Sequence, residues 1–597
     1  MANVRNEVSL EKGPTDEGTK RDKERKWNGW GFKDSYFYLD KNSHFHFAGK
    51  DRYEISGHIL PRLRPYLDDL GIDVKYITPS QPYMELESSI PPPVRNADFV
   101  TFLNRRQILH SFHKQFRIHR AHGHTLEEIY RLRHGTFARV PDVVVWPRNH
   151  DEVVLIVNAA ELHSVAIIPI GGGTSVTLAL RCPENESRMI VSLDLSRMTR
   201  LLWVNHETST ARAEAGCVGN DLEQELNKLG YTIGHEPDSK EFSTLGGWVS
   251  TRASGMKRAR YGNIEDMLVH VSFVTPKGVI EKCCQAPRIS SGPDINHLVM
   301  GSEGTFGVVT EVTFKIWKLP ECRRYGSIVF PSFECGMKCL REIVHKKCSA
   351  ASMRLVDNYQ FKISRGFKPG ENTLWKRLVE QVQHLYITSW KRFDPKQISV
   401  MTLVFEGSEN EVTSQESQIY QIAATHGGFS GGASSGQYGY MLVYSIAYLR
   451  DLGMDYSIIG ESLEPSAPWD RVIELCEKVK ESFKNESEKL GVPYIVSCRI
   501  TQAYEAGACI YIYYAFNYRN IDHPIETYER IEDKARQVIF ECGGSISHHH
   551  GVGKLRRKWL PHSIGETGVT VLKGVKQLLD PNNIFASGNL FNATSKL

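Results

Sequence analysis

Three consecutive histidines form the densest group of candidate catalytic side chains in the sequence. His548, His549 and His550 precede a turn that contains Gly551 and Gly553. Adjacent residues on a strand point to opposite sides, so at most His548 and His550 would face one point. With no carboxylate or cysteine beside them, the run predicts proton transfer rather than metal binding, and we expect no metal. A solvated histidine patch is the alternative interpretation.

An aromatic strand at residues 511–516 offers a second candidate for proton transfer. Tyr511 and Tyr513 share one face of this strand. Most side chains of this kind pack in a core, which is the plain interpretation. One phenol would act as an acid or base if neighbouring cations lowered its pKa.

Two arginines lie in mixed apolar surroundings in the second half of the sequence. Arg354 is followed by Asp357, and Arg450 is followed by Asp451. Arginine in such a setting usually has an anionic partner. The neighbouring aspartates are one candidate partner, and an anionic substrate is the other.

A glycine-rich loop marks a candidate anion site earlier in the chain. It follows an apolar run at 165–168 and consists of Pro169, Ile170, Gly171, Gly172, Gly173, Thr174 and Ser175. Three glycines after a buried strand leave backbone N–H groups uncovered, so that a pyrophosphate can lie directly on them. The spacing matches neither a P-loop nor a dinucleotide-binding fingerprint. A sharp glycine turn without a ligand is the alternative.

Further loops of small residues follow in a fixed order. This order resembles the flavin-binding domain of the vanillyl-alcohol oxidase / p-cresol methylhydroxylase superfamily over about residues 137–319. The resemblance implies an α+β fold, with a two-subdomain FAD-binding domain and a cap domain that carries an antiparallel sheet and helices. Beyond the glycine-rich loop, the residues it implies for cofactor binding are Asp238, Ser239, Ser243, Thr244, Gly246, Gly247, Thr251, Arg252, Ala253, Ser254, Asn263, Glu303, Gly304, Thr305, Gly307, Val308 and Val309.

The pattern along the chain predicts successive segments. Residues 1–26 are polar and charged and are expected to be disordered. The later segments are an N-terminal helical segment at 27–136, the FAD-binding domain at 137–319, the cap domain at 320–555 and a C-terminal segment at 556–597. Within the cap, the glycine- and serine-rich tract at 427–436 is expected to be a surface loop, with a lid over the active site as the alternative.

The composition excludes several classes of protein. Of the 597 residues, 41% are hydrophobic and 24% are charged, which is typical of a soluble globular protein of two or three domains. A formal net charge of +4 is too small to indicate a nucleic-acid partner. We find neither an apolar run long enough to span a bilayer nor a secretory signal. The 12 cysteines form no Cys-x-x-Cys pair and are expected to be free thiols in a reducing compartment.

The C-terminal tripeptide is a candidate targeting signal. The sequence ends in Ser595, Lys596 and Leu597, after a mostly polar lead-in. A C-terminal Ser-Lys-Leu is a peroxisomal address that an import receptor reads. We therefore expect the protein in the peroxisome, with that receptor as a partner. Coincidence is the alternative.

Several of these features together resemble one family of the superfamily, the alkylglycerone-phosphate synthases. They are the histidine run with its Gly-Val-Gly-Lys continuation, the peroxisomal ending, and the segments at 251–257, 497–502 and 507–511. The resemblance extends from about Trp27 to the C-terminus. The address is a departure, since mammalian members use an N-terminal peroxisomal signal.

The resemblance implies roles for individual residues. Tyr511 corresponds to the proposed acid/base of the family, and Arg450 to the arginine that binds the anionic group of the substrate. Arg354 matches an arginine needed for activity, and a structural salt bridge is its alternative role. The active-site histidines of the family correspond to His235, His548, His549 and His550.

The function that the resemblance implies is the synthesis of ether-lipid precursors, including those of plasmalogens. These enzymes exchange the acyl group of 1-acyl-dihydroxyacetone phosphate for a long-chain fatty alcohol and release a fatty acid. In the proposed scheme, noncovalently bound FAD forms an adduct at its N5 atom without net oxidation. We also expect a homodimer with peripheral association to the peroxisomal membrane. A FAD-dependent 2-hydroxy-acid dehydrogenase and a flavin-folded protein without catalysis are the alternatives.

Overall fold

The structure is a computed structural model that describes residues 18–42, 44–64, 68–284, 286, 288–367 and 393–592. The predicted address at 595–597 and the predicted disorder of residues 1–17 lie outside these residues. Helices occur together with sheets that are mostly antiparallel, so the predicted α+β class is confirmed. Within the described ranges, no helix has the length and apolar character needed to cross a bilayer.

A four-stranded sheet forms the first flavin-binding subdomain. In spatial order its strands are Leu109–Ser111, Val143–Trp146, Ile190–Asp194 and Ala166–Ile170. The last three are parallel, and the first is antiparallel to its neighbour. Helix His150–Leu162 connects two parallel strands and begins at Asn149, whose side chain accepts a hydrogen bond from Glu152 N. Because Gly171 directly follows strand Ala166–Ile170, the three glycines lie at the carboxyl end of a parallel strand.

A five-stranded antiparallel sheet forms the second subdomain. Its strands, in spatial order, are Gly278–Ile280, Leu268–Thr275, Val308–Lys315, Thr210–Glu214 and Leu201–Asn205. Helix Leu245–Thr251 begins at Thr244, whose hydroxyl accepts a hydrogen bond from Gly247 N, and packs on the central strand. The other helices are Gly219–Lys228, Arg258–Tyr261, Ile264–Met267 and Asn296–Val299. A short ladder pairs Tyr231–Thr232 with Trp317–Lys318.

An antiparallel sheet of eight strands is the centre of the cap. Seven strands follow the order Phe429–Ser430, Cys322–Phe330, Ser399–Gly407, Ser352–Val356, Tyr494–Ala503, Gly507–Asn517 and Ile458–Leu463, and Ser466–Pro468 pairs with the sixth. One face packs in a core with the helices Phe333–His345, Glu409–Thr425, Val472–Leu490 and Pro524–Glu541. Arg354, Arg499 and Tyr511 alternate with core residues along their strands, and their side chains therefore project from the opposite face of the sheet. The other cap helices are Asn358–Gly366, Ala433–Met441, Val443–Ile446 and Leu449–Asp455.

The glycine- and serine-rich tract at 427–436 is not the surface loop that the sequence predicts. It contains the strand Phe429–Ser430 and the first residues of helix Ala433–Met441. A Cβ at Gly436 would lie 2.1 Å from Gly326 O on a neighbouring strand. The small residues therefore allow a helix to pack closely on the sheet.

The N-terminal segment corrects the prediction of disorder up to residue 26. Helix Lys20–Glu24 buries Asp22, which accepts hydrogen bonds from Thr19 N at 2.8 Å and from Arg120 Nη2 at 3.0 Å. A charged sequence is ordered here because its charges meet buried partners. The remaining elements are the hairpin strands Tyr36–Leu39 and Phe45–Ala48 and the helices Tyr83–Ser89, Ala97–Arg105, Lys114–Ile118 and Leu126–His134.

The C-terminal segment returns to the flavin-binding domain. After helix Leu560–Leu579, the carbonyl of Ile584 accepts a 2.7 Å hydrogen bond from Ile167 N on the edge strand of the first subdomain. Ile584 and Phe585 are buried in the same core as Ile167. The end of the chain therefore completes the subdomain that carries the glycine-rich loop.

Candidate active site

A cavity of about 530 Å³ lies between the two flavin subdomains and the cap. From the cap, it is lined by the predicted residues Arg354, Arg450, Tyr511, His549 and His550. From the flavin side, the predicted residues that line it are Pro169, Ile170, Gly171, Gly172, Gly173, Thr174, Ser175, Asp238, Ser239, Ser243, Thr244, Gly246, Gly247, Thr251, Ala253, Ser254, Glu303, Gly304, Gly307, Val308 and Val309. The fold thus brings both predicted sets around one space.

The glycine-rich loop presents backbone rather than side chains to this cavity. A Cβ at Gly171 would lie 2.3 Å from Thr244 Oγ1, and a Cβ at Gly172 would lie 2.3 Å from Phe242 O. Gly173 has a φ of 69°, in the left-handed region that glycine favours. A surface of uncovered peptide groups fits the pyrophosphate of FAD.

Three residues predicted to bind the cofactor do not line the cavity. Arg252 ends a helix with a φ of 52°, and its Nε lies 3.7 Å from Glu265 Oε1. Asn263 Nδ2 donates a 3.2 Å hydrogen bond to the Tyr504 hydroxyl. The Thr305 hydroxyl is buried and has no hydrogen-bond partner among the described residues. These side chains lie behind the loops that form the wall.

Glu303 connects the flavin wall to the histidine run. Its carboxylate oxygens accept 2.6 Å hydrogen bonds from Val552 N and Gly553 N, in the turn that follows His550. Burial raises the pKa of Glu303 to about 7, although these N–H groups favour the ionised form. The side chain that was predicted to bind the cofactor therefore also holds the position of the turn.

Tyr511, His550 and Glu464 form a chain of polar contacts at the cavity wall. The Tyr511 hydroxyl lies 2.8 Å from His550 Nε2, and His550 Nδ1 lies 3.1 Å from Glu464 Oε2. Arg556 Nη1 donates a 2.8 Å hydrogen bond to Glu464 Oε1. Burial alone would raise the pKa of Glu464, but Arg556 and His550 lower it well below its usual value. The series of contacts from Tyr511 through His550 therefore ends at Glu464, a buried carboxylate that is ionised.

The environment of Tyr511 combines a neighbouring cation with burial. Arg499 lies over the ring at 4.7 Å, so a neighbouring cation is present. Burial nevertheless raises the pKa of Tyr511 well above 10, reinforced by Tyr513 and Asp238. The phenol is therefore protonated at rest, and His550 is the group to which it can transfer a proton.

The histidine run does not form a strand, and its side chains separate differently from the prediction. His549 and His550 line the cavity, whereas His548 Nε2 lies 2.6 Å from the Tyr504 hydroxyl. Burial lowers the pKa of His548 to about 4 and that of His549 well below its usual value. Both rings are therefore neutral at physiological pH.

Cys509 lies beside this pair of neutral histidines. Its Sγ and one nitrogen each of His548 and His549 lie within 4.8 Å of one another. Sequence reasoning does not find this grouping, because Cys509 lies on strand Gly507–Asn517, far from the histidine run in the sequence. Burial raises the pKa of the Cys509 thiol to about 12, which disfavours the thiolate that a metal would need. The absence of a metal stays a prediction.

His235 lies one layer behind the cavity wall. Its ring packs against Trp248 at a centroid distance of 4.6 Å, and Trp248 lines the cavity. Among the described residues, neither ring nitrogen has a hydrogen-bond partner. Burial lowers the pKa of His235 to about 3, so this ring is neutral. The structure thus separates His235 from the other predicted catalytic residues.

Arg354 is not paired with Asp357. Asp357 caps the next helix by accepting a hydrogen bond from Gln360 N, and it binds Lys480 Nζ at 2.5 Å. Arg354 Nη1 instead lies 3.2 Å from Met256 Sδ, and no described carboxylate forms an ion pair with it. Burial, followed by the charge of a neighbouring arginine, lowers its pKa. Among the described residues, the salt bridge offered as its structural alternative is not formed.

Arg450 is not paired with its neighbouring aspartate either. Asp451 binds Lys26 Nζ at 2.9 Å. Arg450 Nη1 donates a 2.5 Å hydrogen bond to the carbonyl of His124, and its Nε has no partner among the described residues. Two cap arginines thus face the cavity without a carboxylate partner in the described structure, which suits an anionic ligand.

Glu464, Arg499 and Arg556 are residues of this site that sequence reasoning does not single out. Arg499 Nη2 lies 3.3 Å from Asp238 Oδ2 and so connects the cap to a flavin-side loop. The sequence signal for Arg499 is its alternation with apolar residues along a strand, which indicates a side chain on the face opposite the core. No local pattern identifies Glu464 or Arg556, because their partners are distant in the sequence.

One end of the cavity is apolar. It is lined by Leu63, Leu70, Ile72, Leu449, Leu452 and Ile458, from the N-terminal segment and the cap. An apolar wall of this kind favours binding of an alkyl chain. The cavity therefore combines an uncovered backbone loop, unpaired arginines and an apolar end.

Comparisons with known proteins agree with this architecture. A family model described as FAD binding domain matches residues 141–284, and one described as FAD linked oxidases, C-terminal domain, matches residues 319–590. A solved structure of p-cresol methylhydroxylase shares the fold, with a TM-score of 0.61 and 13% identity over 84% of this chain and 97% of the other. The chain is thus a flavoprotein, and FAD is its cofactor.

More similar proteins carry one name. The chain is 51% identical to alkyldihydroxyacetonephosphate synthase of Caenorhabditis elegans over 96% of both chains. It is 31% identical to the synthase of Trypanosoma brucei brucei over 95% of this chain and 92% of that relative. A solved alkyldihydroxyacetonephosphate synthase structure matches with a TM-score of 0.83 and 29% identity, over 95% of this chain and 99% of the other. The chain therefore belongs to the alkyldihydroxyacetonephosphate synthase family.

Proposed function

We propose that this enzyme of ether-lipid synthesis exchanges the acyl group of 1-acyl-dihydroxyacetone phosphate for a long-chain fatty alcohol. The observation that carries the proposal is the joint placement, in one cavity, of unpaired arginines, a protonated phenol and an apolar end. The arginines suit the phosphate, and the apolar end suits the alkyl and acyl chains. The family of the chain supports the same substrate class.

The cap residues supply binding and proton transfer. Arg450 and Arg354 bind and orient the phosphate, because neither has a described carboxylate partner to compete with it. Tyr511 accepts a proton from the substrate carbon as it passes its own hydroxyl proton to His550 Nε2 at 2.8 Å. The ionised Glu464 stabilises the positive charge that develops on His550. When bound, FAD supplies a covalent electron sink that needs no net redox change.

Isotope exchange tests this proposal directly. Purified holoenzyme is mixed with acyl-dihydroxyacetone phosphate and labelled hexadecanol while the flavin spectrum is recorded. Label should enter the ether product, one fatty acid should be released for each ether formed, and the flavin should not be reduced at the end. Flavin bleaching by a 2-hydroxy acid, without label transfer, would instead support the dehydrogenase alternative.

We also propose that the C-terminal Ser595-Lys596-Leu597 directs the protein to the peroxisome through the import receptor. Deletion of these three residues should leave the protein in the cytosol, while activity in an extract persists. Continued import of the truncated protein would mean that this tripeptide is not the address that is used.

Two assembly states complete the proposal. We infer a homodimer from the resemblance to the family. We also infer peripheral association with the peroxisomal membrane, because the long-chain alcohol and acyl substrates partition into lipid. Light scattering on the eluted peak and flotation with liposomes measure the two states separately. A monomeric mass, or a protein that stays at the bottom of the gradient, would remove the corresponding inference.

A further inference from the structure

Two arginines of the N-terminal segment contact the glycine-rich loop from outside the cavity. Arg21 Nη1 donates to the carbonyl of Gly171 at 3.4 Å, and its Nη2 donates to that of His119 at 2.9 Å. Arg25 Nη1 donates to the carbonyl of Gly172 at 2.6 Å. Neither arginine lines the cavity. They therefore hold the outer side of the loop.

These contacts fix the direction of two peptide groups. The C=O and N–H of a trans peptide point in opposite directions. Because arginines hold the carbonyls of Gly171 and Gly172, the N–H groups of Gly172 and Gly173 point away from them, and both glycines line the cavity. Neither N–H donates a hydrogen bond to a described residue. Two oriented, unpaired donors are thus available to a ligand anion.

The two guanidinium groups are partly buried positive charges. Burial, opposed in part by nearby aspartates, lowers the pKa of Arg21 to about 10 and that of Arg25 to about 9. Asp22 and Asp194 are the carboxylates nearby, and both bind Arg120. Among the described residues, no carboxylate forms an ion pair with Arg21 or Arg25. A partly buried cation without a carboxylate partner favours the binding of an anion nearby.

We propose that Arg21 and Arg25 complete the FAD pyrophosphate site from behind the glycine-rich loop. They orient its peptide N–H groups and supply positive charge that offsets the diphosphate. The segment that carries them precedes the region matched by the family models, residues 141–284 and 319–590. The inference concerns cofactor binding and does not depend on the acyl-exchange proposal.

The affinity of the apoprotein for FAD tests this role. Arg21→Gln and Arg25→Gln should each raise the Kd, measured by flavin fluorescence, by about tenfold or more. Each should also reduce the dependence of Kd on salt, because one cation is lost. Lys20→Gln is the matched control: Lys20 lies in the same helix but is exposed and 3.8 Å from Asp221. It should leave Kd unchanged, and equal effects of all three changes would overturn the proposal.

Thermal unfolding separates this role from a purely structural one. If the arginines serve the anion, Arg25→Gln should leave the Tm of the apoprotein unchanged or higher, and FAD should raise it less than in the unmodified protein. A lower apoprotein Tm with an unchanged FAD-induced increase would show that Arg25 is only structural. Arg25→Lys covers a failure of the first variant to fold. It should keep the salt dependence but weaken FAD binding, and an unchanged Kd would overturn the proposal.

Discussion

The two walls of the cavity are built in different ways. The flavin wall consists of backbone and small side chains from short loops, in which glycines such as Gly172 allow close approach. The cap wall consists of charged and phenolic side chains that reach each other from separate segments, as Tyr511, His550 and Glu464 do. The first wall depends on space, and the second depends on hydrogen bonds and charge. Changes in the two walls should therefore have different consequences.

The largest effect is expected from Gly172→Asp in the flavin wall. A Cβ at this position would lie 2.3 Å from Phe242 O, and the carboxylate would repel the pyrophosphate. The purified variant should contain no flavin, as measured by absorbance. Gly574→Asp is the control, because nothing lies within 4 Å of a Cβ there, and it should stay yellow. A Gly172→Asp protein with normal flavin content would show that the loop is not the pyrophosphate site.

Tyr511→Phe should leave the flavin in place and reduce turnover. It removes one hydroxyl and little volume, so fold and flavin content should persist. Turnover should fall by about a hundredfold or more if this hydroxyl moves the proton. Tyr513→Phe is the matched variant: the Tyr513 ring stacks on that of Tyr511 at 5.2 Å, but the Tyr513 hydroxyl contacts no histidine among the described residues. Near-normal turnover of Tyr511→Phe would move the assignment to the histidine run.

Arg450→Lys should act on substrate affinity. Lysine keeps the charge but loses the planar fork, so KM for acyl-dihydroxyacetone phosphate should rise by about tenfold while kcat changes less. Arg519→Lys is the control, since this side chain lies over Tyr76 at 4.2 Å and outside the cavity lining. A lower kcat with an unchanged KM would contradict a role in binding the anionic group.

The smallest effect is expected from Glu303→Gln, at the contact between the two walls. Because the pKa of Glu303 is about 7 in the folded protein and 4.5 ordinarily, the folded state binds the extra proton between these values. The unmodified protein should thus lose stability relative to Glu303→Gln as pH rises from about 5 to about 7. Tm measured across this range tests the sign. A difference in Tm that is independent of pH would mean that Glu303 does not titrate there.

The flavin wall could be predicted from the sequence because its residues are local. Gly171, Gly172 and Gly173 are adjacent, and their conformational freedom is itself the functional property. Three small-loop residues, Arg252, Asn263 and Thr305, do not line the cavity, since a motif identifies a loop but not the direction of each side chain. The family models confirm the FAD-binding domain that the order of these loops indicated.

The cap wall could be predicted only in part. The candidates Tyr511 and His550 were visible, but the carboxylate that completes their contact, Glu464, directly follows strand Ile458–Leu463, where no distinctive sequence pattern identifies it. A cation does lie beside Tyr511, but burial outweighs Arg499 and raises the pKa of the phenol. Pairings between distant charges and the balance between burial and charge are tertiary properties. Neither property can be predicted from a short stretch of sequence.

The hydrogen bond between Ile167 N and Ile584 O has a consequence for the order in which the enzyme matures. The first subdomain emerges from the ribosome long before the segment that covers its edge strand is synthesised. During that interval the edge is open and can pair with another chain, unless a chaperone covers it. A nascent chain therefore cannot complete its cofactor domain before the segment around Ile584 has been made, and termination before Ile584 would leave the edge strand of the first subdomain uncovered.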